Sequence, residues 1–268
     1  MRILANALFL LAILGGFERS ALAQPAATPF DVVIVNGHII EGTGSPWYSG
    51  QIGIREGRIA AIGNLEAAPR KRTIDAQGKV VAPGFIDMLG QSEMTMLVDP
   101  RLPSKIYQGI TTEITGEGNS AGPLNAAMVA SDRAGYEHLK ITPDWTTLGG
   151  YFRRIEKQGM GINLASYVGA TSVRRMVLGD ADVQPTPEQL KAMQALVDAA
   201  MQEGAVGVST ALQYAPAPYA KTDELIALAA EAGKYGGIYA THMRSEGDAV
   251  LESIDEAIRI GKEGHLPV

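Results

Sequence analysis

The pattern of the chain changes at Pro83-Gly84, and that change limits the folds open to it. Ahead of it, short apolar runs are separated by tight turns. Asn36-Gly37 and Glu56-Gly57 both offer the positive φ that hairpins use. Residues 31–82 are therefore expected to form a small all-β unit, with strands near 31–35, 38–40, 51–55, 58–62, 72–74 and 79–81. Beyond Pro83, apolar strand-like runs at 85–87, 110–115, 162–168, 206–209 and 238–242 alternate with helical ones. Helices are expected near 103–108, 187–203, 222–234 and 248–263, with a long insertion from 117 to about 159. The helix at 187–203 opens on proline, carries acids early and meets Gly204 just past its end. The strands are apolar throughout rather than alternating, as in a parallel sheet covered by helices. Repeated β–α units of this size predict an α/β fold, either a (β/α)8 barrel or a doubly wound sheet.

About five such units precede Val268, and an eight-unit barrel takes about 250 residues by itself. The expectation is a barrel incomplete at its C-terminal end, as the N-terminal part of a longer protein.

The first residues read as a targeting segment. Met1-Arg2 is a minimal basic start, residues 3–17 are apolar apart from Asn6, and Ala21-Leu22-Ala23 before Gln24 is a small-x-small cleavage site. A membrane anchor needs about 20 apolar residues, and Glu18-Arg19 closes the run too early. Residues 1–23 are thus expected to be a signal peptide and 24–30 a Pro/Ala linker. The protein would be exported, periplasmic or secreted, without stable membrane insertion after cleavage. The absence of cysteine leaves no disulfide or thiolate chemistry. A net charge of −6 argues against nucleic acid as a partner, since no basic surplus neutralises phosphates.

In a parallel barrel, side chains at the C-terminal ends of strands form the active site. Those ends here offer Asp87, Glu117 with Glu113 upstream, Ser166-Tyr167, Ser209 and His242. His242 lies in Ile238-Tyr-Ala-Thr-His-Met-Arg-Ser-Glu246, after an apolar strand and before a helix. Its imidazole can bind zinc, and Arg244 can grip a substrate carboxylate as a fork. The plainer reading is a strand cap paired with Glu246. Glu117, between Gly116 and Gly118, is either a carboxylate ligand or a solvated loop acid. His38, His138 and His265 read as structural or surface residues. Tyr214 and Tyr219 either line a substrate pocket or pack a proline-rich loop.

Asp31-Val-Val-Ile-Val-Asn-Gly37, Ile54-Arg-Glu-Gly-Arg-Ile-Ala-Ala-Ile-Gly63 and Val80-Val-Ala-Pro-Gly-Phe-Ile-Asp87 together resemble the opening of the amidohydrolase superfamily. Leu97-Val-Asp-Pro-Arg101, Gln108-Gly-Ile-Thr-Thr112, Gly204-Ala-Val-Gly-Val-Ser-Thr210 and Gly237-Ile-Tyr-Ala-Thr-His-Met-Arg-Ser-Glu-Gly247 narrow the resemblance to the D-aminoacylase (N-acyl-D-amino-acid deacylase) branch. The resemblance implies a TIM-type (β/α)8 barrel with a small β-sandwich, zinc in the barrel mouth, and hydrolysis of the amide of an acylated amino acid or a peptide-like substrate. His242 then corresponds to a ligand of the tightly held zinc. The family's cysteine ligand falls at Glu117 or Gly118, and Glu117 is favoured as another anionic ligand. Arg244 and Tyr219 become substrate-binding candidates.

The departures from the family lie at the expected His-x-His pair, which reads Leu89 and Gln91. A third histidine ligand and the catalytic aspartate are expected beyond Val268. These imply a single tight zinc site, and the 268 residues by themselves are expected to be inactive. The alternative is a non-catalytic protein of the same fold that binds acyl-amino acids or peptides.

Overall fold

The computed structural model describes residues 28–268, so the signal segment 1–23 and most of the linker lie outside the described residues. The chain divides into two units between Pro83 and Gly84. The first is a mixed five-stranded sheet built from β1 (Phe30–Ile39), β2 (Tyr48–Arg55), β3 (Arg58–Gly63), β4 (Arg70–Asp75) and β5 (Val80–Val81). The order is β3-β2-β1-β4, with β5 also beside β1. The sequence predicts a β-sandwich portion; the described residues of this unit form this one sheet.

Asn36-Gly37 does not turn the chain. β1 runs straight through it and pairs with β2 on both sides of a register shift between Ile34 and Gly37. Asn36 takes a left-handed φ of 57° and thereby makes a bulge in one long strand. The hairpin turn is Glu56-Gly57 between β2 and β3, with φ of 51° and 71°, as the twist of paired strands favours. Phe30, Val33, Ile39 and Ile52 are the sheet's buried hydrophobic residues among those described.

The second unit begins with β6 (Phe85–Asp87), α1 (Thr95–Val98), α2 (Pro103–Ile106) and β7 (Ile110–Thr115). Then come α3 (Ala126–Ser131), α4 (Arg133–Leu139), α5 (Leu148–Gln158), β8 (Asn163–Ser166), β9 (Val168–Gly169) and α6 (Ala170–Leu178). It ends with α7 (Pro187–Gln202), β10 (Gly207–Ala211), α8 (Thr222–Gly233), β11 (Ile238–His242) and α9 (Val250–Gly264). All paired strands here are parallel, in the runs β6-β7-β8 and β9-β10-β11. Tyr167 alone separates β8 from β9, and the Val206 amide donates to the Ser166 carbonyl at 3.0 Å, joining the runs along one arc.

The helices cover that arc through apolar faces. α7 starts on a capping box of Thr186 and Gln189 with Pro187 at its first turn, and buries Met193, Val197, Ala200 and Met201. α8 answers with Leu225, Leu228, Ala229 and Ala232. Each fully buried Met, Val or Leu in this layer contributes about 1.5–3 kcal/mol of transfer free energy. Among the described residues, no helix is long and apolar enough to cross a membrane.

The structure corrects the expected insertion at 117–159. It contains α5, the crossover helix between β7 and β8, whose Leu148, Tyr151 and Ile155 are buried, as well as α3 and α4. Trp145 packs against Tyr151 and donates from its indole to the Ala121 carbonyl at 2.7 Å. α6 has no counterpart in the sequence reading. Thr171, Ser172 and Arg174 are buried along it, so no apolar period marks it.

Candidate metal centre

β7 delivers Glu117 on a turn that only glycine can make. Gly116 and Gly118 have φ of 93° and 64°. A Cβ on Gly116 would lie 2.4 Å from the Tyr167 carbonyl oxygen, and one on Gly118 would lie 2.6 Å from Ala211 Cβ. Ser209, buried in β10, pins the turn: its Oγ accepts from the Gly118 amide at 3.0 Å and donates to the Gly116 carbonyl. From the β6 side, Glu93 Oε1 accepts the Gly116 amide at 2.7 Å.

The turn aims the Glu117 carboxylate at the end of β11. Its Oε1 lies 3.3 Å from His242 Nδ1, and its Oε2 accepts from Gln91 Nε2 at 3.0 Å. On the other side of the ring, His242 Nε2 lies 3.3 Å from Glu246 Oε1. Tyr214 sets its ring edge-on against the imidazole at 5.3 Å between centroids. Glu117 and His242 are thus brought together from residues far apart in the chain, each oriented by a second side chain.

Two expected site residues have other duties. Arg244 donates from Nε and Nη2 to the Glu256 carboxylate at 3.0 and 2.9 Å, from Nη1 to the Pro218 carbonyl at 2.9 Å, and from Nη2 to the Ala220 carbonyl at 3.0 Å. Its fork ties the loop after β10 to α9 and is not free to grip a substrate carboxylate. Burial tends to raise the Glu256 carboxyl, and the bonds from Arg244 and Thr222 outweigh it, holding the group below its usual range. Tyr219 lies half-buried in that tied loop, with its carbonyl accepting from Gln184 at 2.8 Å; Tyr214 is the tyrosine that meets His242.

Gln91 is the residue that sequence reasoning missed. Treated as an absent ligand, it in fact orients the Glu117 carboxylate. Leu89 is exposed and polarity-free. Asp87, at the end of β6, binds Lys105 at 2.6 Å, and Lys105 also reaches the fully buried Glu113 at 3.4 Å. Glu113 accepts the Ser92 amide at 3.1 Å and occupies the space a side chain at Gly90 would need. Glu93 is pushed up by burial, with the nearby Glu113 and Glu117 charges adding to the effect against the amides that bind it.

The donor pair suits zinc in kind: one carboxylate oxygen and one imidazole nitrogen. The ring hydrogen-bonds Glu117 through Nδ1, and its Nε2 lies 3.3 Å from the Glu246 carboxylate, so each ring nitrogen faces a carboxylate. Among the described residues no group of three or more His, Asp or Glu gathers in ligand geometry. They therefore fit two positions of a zinc site and do not close one.

No family model matches the chain. Curated relatives do. N-acyl-D-glutamate deacylase of Alcaligenes xylosoxydans xylosoxydans is 39% identical over 233 residues, 87% of this chain and 47% of that protein. D-aminoacylase of the same organism is 36% identical over 253 residues, 92% of this chain and 51% of that protein. The chain spans about half the length of these relatives. A crystal structure of N-acyl-D-glutamate deacylase from Bordetella bronchiseptica, complexed with zinc and a phosphonate inhibitor, superposes with a TM-score of 0.80 at 36% identity, covering 89% of this chain and 50% of that one. A D-aminoacylase crystal structure gives 0.81 at 36% identity over 90% of this chain and 51% of that one. Another D-aminoacylase structure describes a binuclear metal centre with one-metal activation and second-metal attenuation. By this likeness in sequence and fold, the chain is homologous, over about half their length, to D-aminoacylase and N-acyl-D-glutamate deacylase of the amidohydrolase family.

Proposed function

We propose that the protein is an exported metal-dependent hydrolase that removes the acyl group from N-acyl-D-amino acids, using one tightly held zinc. The observation that carries this reading is the convergence of Glu117 and His242 at 3.3 Å, with Gln91 and Glu246 orienting them. When bound, zinc supplies a Lewis acid for the amide carbonyl and lowers the pKa of water. The chain's own residues hold the geometry: Gln91 fixes which oxygen of Glu117 faces the imidazole, and the Glu246 carboxylate lies 3.3 Å from the far ring nitrogen. Tyr214 packs its ring nearly perpendicular to the imidazole. The names of the relatives support an N-acyl-D-amino acid as substrate. A single metal is supported by the position of the expected His-x-His pair, where Leu89 is apolar and the Gln91 amide donates to Glu117.

The test is zinc content and deacylation by the protein expressed from its complete coding sequence, with and without His242→Ala. About one zinc per chain and turnover of N-acyl-D-amino acids are expected for the wild type, and loss of both for the variant. Equal zinc in the two proteins would remove His242 from the site. A second reading, a non-catalytic binder of acyl-amino acids, is favoured by Leu89 and Gln91. Tight binding without turnover in the zinc-loaded wild type would establish it in place of the first.

A further inference from the structure

The loops that carry Gln91 and Glu117 continue into one wall of a cavity of about 380 Å3. Glu93 and Met94 enter from the β6 side, Asn119 to Leu124 from the β7 side, α3 and α4 from above, and the start of α6 from behind. The volume falls in the lower part of the range used for small-molecule sites. Met94, Leu124, Met128 and Leu139 supply the apolar part of its mixed lining.

The rim is polar but offers no free cation. Arg175 is held by both oxygens of Asp132, at 3.0 and 3.1 Å, and by Asp180 at 2.8 Å. Glu93 and Asp132 are the carboxylates of the lining and Arg175 is its guanidinium. A carboxylate placed there would be desolvated without a countercharge, because the one guanidinium is already taken by Asp132 and Asp180. An N-acyl amino acid has one anionic end and one uncharged end. The first finds no countercharge there, and the second matches the apolar part of the lining.

We propose that this cavity receives the acyl chain of the substrate, and that Met128 and Leu139 set the chain length accepted. The proposal rests on the deacylase reading and adds the orientation of the substrate: acyl group toward α3 and α4, carboxylate toward the opposite side of the Glu117–His242 pair. It also predicts a preference for acyl chains longer than acetyl, since a methyl group leaves most of the cavity unfilled.

The experiment uses the protein from its complete coding sequence and a series of N-acetyl, N-butyryl, N-hexanoyl and N-octanoyl derivatives of one D-amino acid, together with N-acetyl-D-lysine. The readout is the ratio of kcat/KM between long and short chains, which is insensitive to the fraction folded because both substrates meet the same enzyme. Leu139→Trp, which fills the cavity from its half-buried wall, is expected to lower the hexanoyl-to-acetyl ratio about 10-fold or more, and Met128→Ala to raise the octanoyl-to-butyryl ratio by a similar factor. Unchanged ratios in both variants would overturn the assignment. A stronger effect of Glu93→Gln on N-acetyl-D-lysine than of either variant on chain length would give the cavity to a basic side chain, and would also overturn it. If the wild type hydrolyses nothing, the deacylase reading fails by itself. Calorimetric binding of the hexanoyl and acetyl compounds then decides the cavity: tighter hexanoyl binding lost in Leu139→Trp supports it, and equal binding of both refutes it.

Discussion

Glu117 owes its position to two residues with no side chain. A methyl group at residue 118 must enter Ala211, and the backbone there has a left-handed φ of 64°. Gly118→Ala is therefore expected to cost about 1–3 kcal/mol of stability and to lower zinc content, as the carboxylate moves off His242. Urea unfolding and metal analysis check this, and an unchanged metal content would show that the turn does not aim the ligand. Asp87 offers a pH test. The Lys105 ammonium holds its carboxyl below the ordinary value of 3.8, against the opposing effect of burial. A carboxyl depressed in the folded state contributes stability above its unfolded pKa and loses it as pH falls through the folded one. Unfolding free energy should thus drop below about pH 4, and Asp87→Asn should flatten that part of the profile. A profile of the same slope in the variant would assign the acid sensitivity to other carboxylates.

Elements were legible where their apolar period was clean. α7, α8 and α9 are close to where hydrophobic spacing, Pro187 and Gly204 place them, because most of the residues they bury are nonpolar. α6 was not legible because it buries Thr171, Ser172 and Arg174 in one run with Ala170 and Val173. Arg174, 1% exposed, binds Glu224 of α8 at 2.6 Å, and no local pattern announces a partner 50 residues away. Burial pushes the Glu224 carboxyl up, and Arg174 pulls against it. Arg174→Met strands the acid in the core and should destabilise the protein by about 3–5 kcal/mol, whereas Arg174→Met with Glu224→Leu should recover most of the loss. Chemical denaturation of both variants measures the difference. A double variant as weak as the single would mean that the pair contributes specific packing rather than mutual neutralisation. Asn36-Gly37 was misread for the opposite reason: its turn chemistry was clear, and the flanking strands used the same φ to bulge instead.

For the whole molecule, export is the claim that sequence alone carries. Intact mass of the protein recovered from outside the cytoplasm should correspond to a chain beginning at Gln24; an uncleaved Met1 would overturn it. The second unit shows how parallel β/α units build a mouth at one end of the strands. Loops after β6, β7, β10 and β11 all contribute to the Glu117–His242 site, so a donor from any one strand is useless until the others are in register.

Local physics was sufficient to place the change of architecture at Pro83-Gly84 and the alternation of strand and helix beyond it; Glu117 and His242 were two of several strand-end candidates, singled out by the family resemblance. Hydrophobic period, turn residues and caps act over a few residues, and a sequence displays them directly. Which side chains share the site was decided only in three dimensions. Gln91 meets Glu117 across 26 residues of chain and Glu117 meets His242 across 125. Arg244 was turned from a free fork into a clamp by Glu256 and two loop carbonyls. A hydrogen bond depends on angstrom distances between groups that sequence spacing does not encode, so the donors could be read from the chain and their partners could not.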